Sequence, residues 1–176
     1  MSVPPPVGVV VREGIESDED AIGAAFEDAW GGPIVVSHGV TYDLRALPTY
    51  VAVHDEGRGP VVAGVLSYVE AADGLEVVAV SAVTRSAGVG SALLAAAETH
   101  ARRLGLPRLW LVTTNDNLDA LRFYQRRGLR IVGVAPGAAD EARRAKAAIP
   151  GAGAVPPVGD YNIPIRDELT LERRFD

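Results

Sequence analysis

Arg85-Ser86-Ala87-Gly88-Val89-Gly90-Ser91 joins the apolar run 77–83 to a segment with helical spacing that opens at 91–94. A strand that empties through a glycine-bearing turn into a helix leaves the first helical N–H groups unpaired. Glycine also lets the backbone come close to a ligand. Those donors lie at the positive end of the helix and suit an anion, and Arg85 adds a fixed charge that matches phosphate oxygens.

Two familiar phosphate loops do not fit this spacing. The Gly-x4-Gly-Lys-Ser/Thr loop needs a lysine, and the only lysine in the chain is Lys146, far from any glycine-rich turn. The dinucleotide fingerprint Gly-x-Gly-x-x-Gly needs a third glycine where Leu93 stands. It also needs an acidic residue at the end of the next strand, where Thr113 and Thr114 stand.

The chain has 176 residues, 48% of them hydrophobic, which suits one domain spanning 1–176. A formal net charge of −6 argues against nucleic acid and anionic membranes as partners and favours a cationic small substrate. With no cysteine there is no disulfide framework, thiol nucleophile or thiolate metal site. Met1-Ser2-Val3-Pro4-Pro5-Pro6 lacks the basic start and apolar stretch of a secretion signal, so the cytoplasm is the expected compartment.

Strand and helix patterns alternate along the chain, which indicates an α/β fold. A first strand is predicted at 7–12, then a helix capped by Ser17 with Asp18, Glu19 and Asp20 in its first turn, ending before Gly31-Gly32-Pro33. Signals over 34–48 are mixed, with a short helix or loop expected at 42–47. Strands follow at 50–54, 61–70 and 75–83. After the loop, Leu93, Leu94, Ala97, Ala101 and Leu104 recur at helical spacing, with His100 on the outer, exposed or half-buried side. The run 109–114 reads as a strand buried on both faces. Asn115-Asp116-Asn117 offers caps for a helix over 118–127, closed by Gly128. Closing strands are predicted at 129–135 and 163–173. Between them, 136–162 is an Ala/Gly/Pro-rich insert with a helix at 139–148, open to reading as a lid, an ordered insert or a disordered loop. Arg143, Arg144 and Lys146 on that helix read as a solvated basic face, with a ligand phosphate as the alternative.

Arg85-x-x-Gly88-x-Gly90 followed by Asn117-Leu118-Asp119-Ala120-Leu121-Arg122-Phe123-Tyr124-Gln125-Arg126-Arg127-Gly128 resembles the two cofactor-binding motifs of the GNAT N-acetyltransferase superfamily. The resemblance covers about 75–134. It implies a GNAT-like fold, a central, mixed, partly splayed β-sheet flanked by helices, and acetyl-CoA as acyl donor. Backbone N–H groups of Arg85, Ser86, Ala87, Gly88, Val89, Gly90 and Ser91 would take the pyrophosphate. The pantetheine arm would lie along the splayed edge at Val78, Ala79 and Val80, where its amides complete unpaired backbone bonds. Asn117 and Tyr124, seven residues apart, fall on one helix face about 10 Å apart along the axis. The resemblance implies that Asn117 binds the pantetheine region and that Tyr124 reaches the sulfur.

Acetyl transfer to an amine needs a neutral nucleophile, and an alkylammonium of pKa about 10.4 is only about 0.1% deprotonated near neutrality. A base or proton relay is therefore required. Glu76 is the leading candidate, placed by period two on the pleat face of Val78 and Val80; the family's comparable carboxylate lies about two residues earlier, where this chain has Gly74. Glu70, Ser81 or a water chain are alternatives. An oxyanion donor is implied at the N–H of Ala79 or Val80. Tyr124 suits the general acid, since its phenol can protonate a departing thiolate. Trp30, His38 and Tyr42 fall where the family walls its acceptor pocket. His38, His54 and His100 show no metal-ligand spacing, so no metal is expected. The expected partner is a small-molecule amine, with a homodimer left open. A protein N-terminal or lysine acetyltransferase and a catalytically silent acyl-CoA-binding module are the rival readings.

Overall fold

The computed structural model describes residues 8–55, 57, 59–83 and 88–176. Strand β1 (Val9–Glu13) leads through a 3-10 turn at Glu16–Asp18 into α1 (Glu19–Trp30). Asp18 fixes that entry: its carboxylate accepts the Ile15 N–H at 2.9 Å and pairs with Arg12 at 2.6 Å. Glu19 and Asp20 follow at the positive end of the helix.

Strands β2 (Ile34–Ser37) and β3 (Val40–Asp43) form a separate hairpin, followed by a 3-10 turn at Leu44–Ala46. The turn matches the expectation for 42–47, but the hairpin ahead of it was hidden among mixed signals. Its two-residue connection is His38-Gly39, both at positive φ (41° and 79°). This is the conformation a tight hairpin needs, with histidine where asparagine or aspartate would have announced it.

The main sheet adds β4 (Thr49–Asp55), β5 (Pro60–Ala71), β6 (Gly74–Ala82), β7 (Arg108–Thr114), β8 (Arg130–Ala135) and β9 (Glu168–Arg174). Helices α2 (Val89–Arg103), α3 (Leu118–Gln125) and α4 (Ala138–Ala147) intervene. Strand order is β1-β4-β5-β6-β7-β9-β8; β6 and β7 are parallel, joined by α2, and the other neighbours run antiparallel.

Two irregularities in β6 position everything that follows. Its ladder with β7 covers only Leu75, Val77 and the residue between them against Leu109–Leu111, so beyond these points the facing edges diverge. On its other side Tyr68 pairs with Val77 but Ser67 pairs with Ala79, which leaves Val78 as a bulged residue. The extra residue reverses the pleat. Val80 consequently packs with the cluster on the α2 side while Val78 packs with the cluster on the α1 side, so Val80 does not share a face with Glu76 as period two had predicted.

The core has two parts. On the α2 side, Leu93, Leu94, Ala97 and Ala101 pack on Leu66, Leu75, Val77, Leu109 and Leu111. On the α1 side, Phe26 and Leu44 cover Val51, Val65 and Ala79. Each fully buried leucine or phenylalanine contributes about 1.5–3 kcal/mol over an exposed one. Leu104, predicted to continue the α2 stripe, is exposed, because Leu104 and Gly105 already leave the helix. His100, predicted outside, is buried: Nε2 meets Glu70 at 2.7 Å and Nδ1 meets the Tyr50 hydroxyl at 3.1 Å. Strand β7 buries Leu109 and Leu111, whereas its other face is only half-buried, contrary to a strand closed on both sides.

Candidate active site

Helix α2 starts at Val89, two residues before the predicted opening, with Gly88 as its N-cap at φ 74°, a left-handed conformation that a β-carbon would strain. Its first internal backbone bond runs from the Ala92 N–H to the Gly88 carbonyl. The N–H groups of Val89, Gly90 and Ser91 have no partner among the described residues, and no acidic side chain stands in the first turn. Gly90 serves a different end: a β-carbon there would press on the Phe123 ring at 3.2 Å, so its absence lets α3 sit against α2. The expected ligands Arg85, Ser86 and Ala87 lie outside the described residues.

Arg127, unmarked in the sequence reading, completes this end of α2. Its guanidinium lies 3.7 Å over the Phe123 ring and donates from Nε to the Ser91 hydroxyl at 3.0 Å, with a second bond from Nη2. Burial and the neighbouring Arg126 depress its pKa, and it has no carboxylate partner among the described residues.

Tyr124 is buried in the α2-side cluster, edge-on to Phe123, and its hydroxyl has no hydrogen-bond partner among the described residues. Burial alone pushes its pKa up to about 12. Asn117 caps α3: its Oδ1 accepts the Ala120 N–H at 3.3 Å while Nδ2 donates to the Thr113 hydroxyl at 3.3 Å. Asn117 and Tyr124 thus stand at the two ends of one short helix, as the spacing predicted.

On the opposite face of the sheet the structure brings Glu76, His38 and Tyr42 into one cluster. His38 Nε2 lies 2.7 Å from Glu76 Oε1, the Tyr42 hydroxyl donates to Glu76 Oε2 at 2.9 Å, and Tyr42 Oη is 3.0 Å from His38 Nε2. Burial, then the bond to Glu76, drives the Tyr42 pKa far up, so this phenol stays protonated. Glu76 is 6% exposed and both its oxygens are engaged, so His38 and Tyr42 stand between it and the surface. His38 itself is held from behind: its backbone N–H donates to Glu168 Oε2 at 2.9 Å, and its ring tilts on Trp110 at 5.3 Å. Trp110 Nε1 is buried without a partner. Burial raises the pKa of Glu168, partly offset by that bond from His38.

A cleft of about 400 Å³ opens where β6 and β7 part. Val78, Val112, Thr113, Thr114 and Glu168 of the main sheet line it with Asn117, together with Trp30 from α1, Ser37 from β2 and Lys146 from α4. A larger hollow of about 730 Å³ lies under the first turn of α1, floored by Phe26 and Leu44, and holds none of the candidate residues.

The insert is an ordered wall of this cleft, through Ala154, Val155 and Pro156. Arg143 staples it, donating to the carbonyls of Val155 (3.2 Å), Pro156 (3.1 Å) and Ile165 (2.7 Å) and pairing with Asp140. Lys146 is 4% exposed and donates to the Trp30 carbonyl at 2.8 Å. Neither residue forms the solvated basic face expected of them, because the insert folds back over α4 and α1. Asn115 Oδ1 accepts the N–H groups of Arg166 and Asp167, tying the return of the insert to the end of β7.

The family model described as the acetyltransferase (GNAT) family matches residues 16–129. The protein YxbD of Bacillus subtilis strain 168 is 36% identical over 158 residues, which cover 89% of this chain and 93% of that protein. Among solved structures, a Bacillus subtilis acetyltransferase in complex with CoA superposes with TM-score 0.67 at 17% identity, over 96% of this chain and 99% of that one. A GNAT family acetyltransferase from Elizabethkingia anophelis with acetyl-CoA bound gives TM-score 0.64 at 15% identity, over 96% and 99%. At such identities the structural likeness is one of fold.

Proposed function

The chain belongs to the GNAT acetyltransferase family, and from that premise we propose that it moves an acetyl group from acetyl-CoA to the primary amine of a small molecule by direct attack. The observation that carries this reading is the pairing of three N–H groups at the start of α2, unpartnered among the described residues, with a slot between β6 and β7 that opens on a cleft. An anion-binding helix end, a strand edge with free backbone groups and an adjoining pocket are the parts that a diphosphate, a peptide-like arm and an acceptor require.

Acetyl-CoA supplies the activated acyl group as a thioester. Gly88, Val89, Gly90 and Ser91 hold its diphosphate through backbone N–H groups, joined by Arg85, Ser86 and Ala87 from the same loop. Val78, Ala79 and Val80 line the pantetheine arm, and Asn117 contributes from the start of α3. The N–H of Ala79 or Val80 faces the negative charge that grows on the acetyl oxygen. Tyr124 is the general acid: a phenol held near 12 by burial is protonated at neutral pH. A thiolate leaving into the same dry surroundings has its own basicity raised as well.

The proton of the amine leaves on the other face. Glu76 orients His38, and the ring of His38, more open than the carboxylate behind it, takes the proton directly or through water. Trp30 and Tyr42 complete the acceptor wall. A pocket closed by Ala154, Val155 and Pro156 favours a small molecule over a peptide that would need an open groove. The acidic net charge of −6 favours an amine over an anionic partner. The described residues hold no helix long and apolar enough to cross a membrane and no cluster of metal-binding side chains.

Mass spectrometry of an amine panel incubated with acetyl-CoA tests this. The native chain should yield a product 42 Da heavier than its amine, by the elementary mass balance of acetylation. Tyr124→Phe should keep acetyl-CoA affinity within about twofold while kcat falls about 10²- to 10⁴-fold. Binding of acetyl-CoA with no amine acetylated by the native chain would instead mark a silent binding module.

A further inference from the structure

Lys146 is a charged group of the cleft that the transfer reaction does not use. It is the only lysine in the chain, it is 4% exposed, and its side chain lines the cleft. One of its three ammonium donors goes to the Trp30 carbonyl at the end of α1; no carboxylate among the described residues lies within ion-pairing distance. A buried ammonium without a counter-ion is costly, and desolvation lowers the pKa of Lys146 accordingly. A cap for the C-terminal end of α1 explains one donor, but not why the charge is retained beside a pocket.

The rest of the lining is selective. Val35, Val78 and Val112 supply apolar contact, and among the described lining residues the only other ionisable group is Glu168, buried and one hydrogen bond from His38. One cation without an ion-pair partner among the described residues and one carboxylate, in an otherwise largely apolar lining, complement a compact molecule carrying an anion and an ammonium together. We propose that the acceptor is a small amino acid, whose carboxylate is taken by the Lys146 ammonium while its amino group faces Glu168 and the His38–Glu76 pair. This rests on the acetyl-transfer reading and narrows it to one class of amine.

Matched amines decide it: leucine, leucinamide and isopentylamine share an apolar body and differ in the carboxylate. With CoA present, the native chain should bind leucine about 10- to 100-fold more tightly than either of the others, as a charge-assisted contact warrants. In acetylation assays kcat/KM should rank them the same way. Lys146→Met, close in length and apolar, should abolish the preference by weakening leucine and leave isopentylamine and CoA binding unchanged. Equal binding of the three by the native chain, or a preference untouched in Lys146→Met, overturns the proposal. The comparison among amines on the native chain stands even if the variant does not fold. Calorimetric preference for leucine without any acetylated product would retain the carboxylate site and refute the transfer reading; transfer to isopentylamine as readily as to leucine would do the reverse.

Discussion

The groups proposed to hold the diphosphate on the α2 side come from one loop and the start of its helix, with 88–91 described, and Tyr124 and Arg127 stand one helix away. The cleft on the other side is walled by the end of α1, β2, β7, α4, the insert and Glu168, pieces scattered from Trp30 to the last strand. A diphosphate is recognised by backbone, and backbone geometry follows from local sequence, so the first side is compact in the chain. An acceptor is recognised by side chains, which can arrive from anywhere once the sheet is in place. The two sides should therefore fail separately.

The largest separation is expected from Arg143→Met. Three carbonyls lose their donor at once, each hydrogen bond to a charged group being worth about 1.5–3 kcal/mol. Hydrogen exchange over 152–165 should accelerate by about 10²-fold or more, and the KM for the acceptor should rise with that for acetyl-CoA unmoved. Joint loss of both affinities would mean that the two sides are one unit. Gly88→Val attacks the other side: a β-branched residue at φ 74° costs about 1–2 kcal/mol. The KM for acetyl-CoA should increase about 5- to 30-fold in steady-state kinetics, with acceptor preference retained.

The smallest effect is a control that touches neither side. Asp18→Asn removes the ion pair with Arg12 but keeps an oxygen for the Ile15 N–H, and thermal unfolding at pH 7 should show a loss of about 1 kcal/mol. Its pH dependence has a definite sign. Arg12 holds the Asp18 carboxyl below its ordinary 3.8 in the folded chain, so the stabilisation is fully present above that value and is lost as pH falls through the lower folded one. The gap between native and variant melting temperatures should be constant from about pH 8 to 5 and close below about pH 4.

The same contrast governs what could be read from the chain. The glycine that opens α2, most of the α2 stripe, the cap at Asn117 and the helix carrying Tyr124 all rest on contacts within a few residues, and periodicity reports such contacts. The hairpin at 34–43 escaped because its turn is His38-Gly39. That same left-handed histidine delivers its ring to Glu76, so the irregularity that hid the element also builds the cluster. Glu168 and Lys146 carry no local signal; they matter only because β9 inserts between β7 and β8 and the insert folds over α1. Arg143 and Lys146 looked like solvated charges because pattern alone does not reveal a chain returning to cover them. The bulge at Val78 lacks the glycine or proline that marks such features, so alternation carried the reading past it.

That bulge makes β6 a strand of two parities. Upstream of Val78, odd-numbered side chains enter the α2-side core; downstream, even-numbered ones do. Removing that extra residue would restore a uniform zigzag with Ala79 and Val80 still on their present faces, so the bulge serves the path of the backbone rather than the burial of side chains. It bends the ribbon at the point where β6 leaves β7.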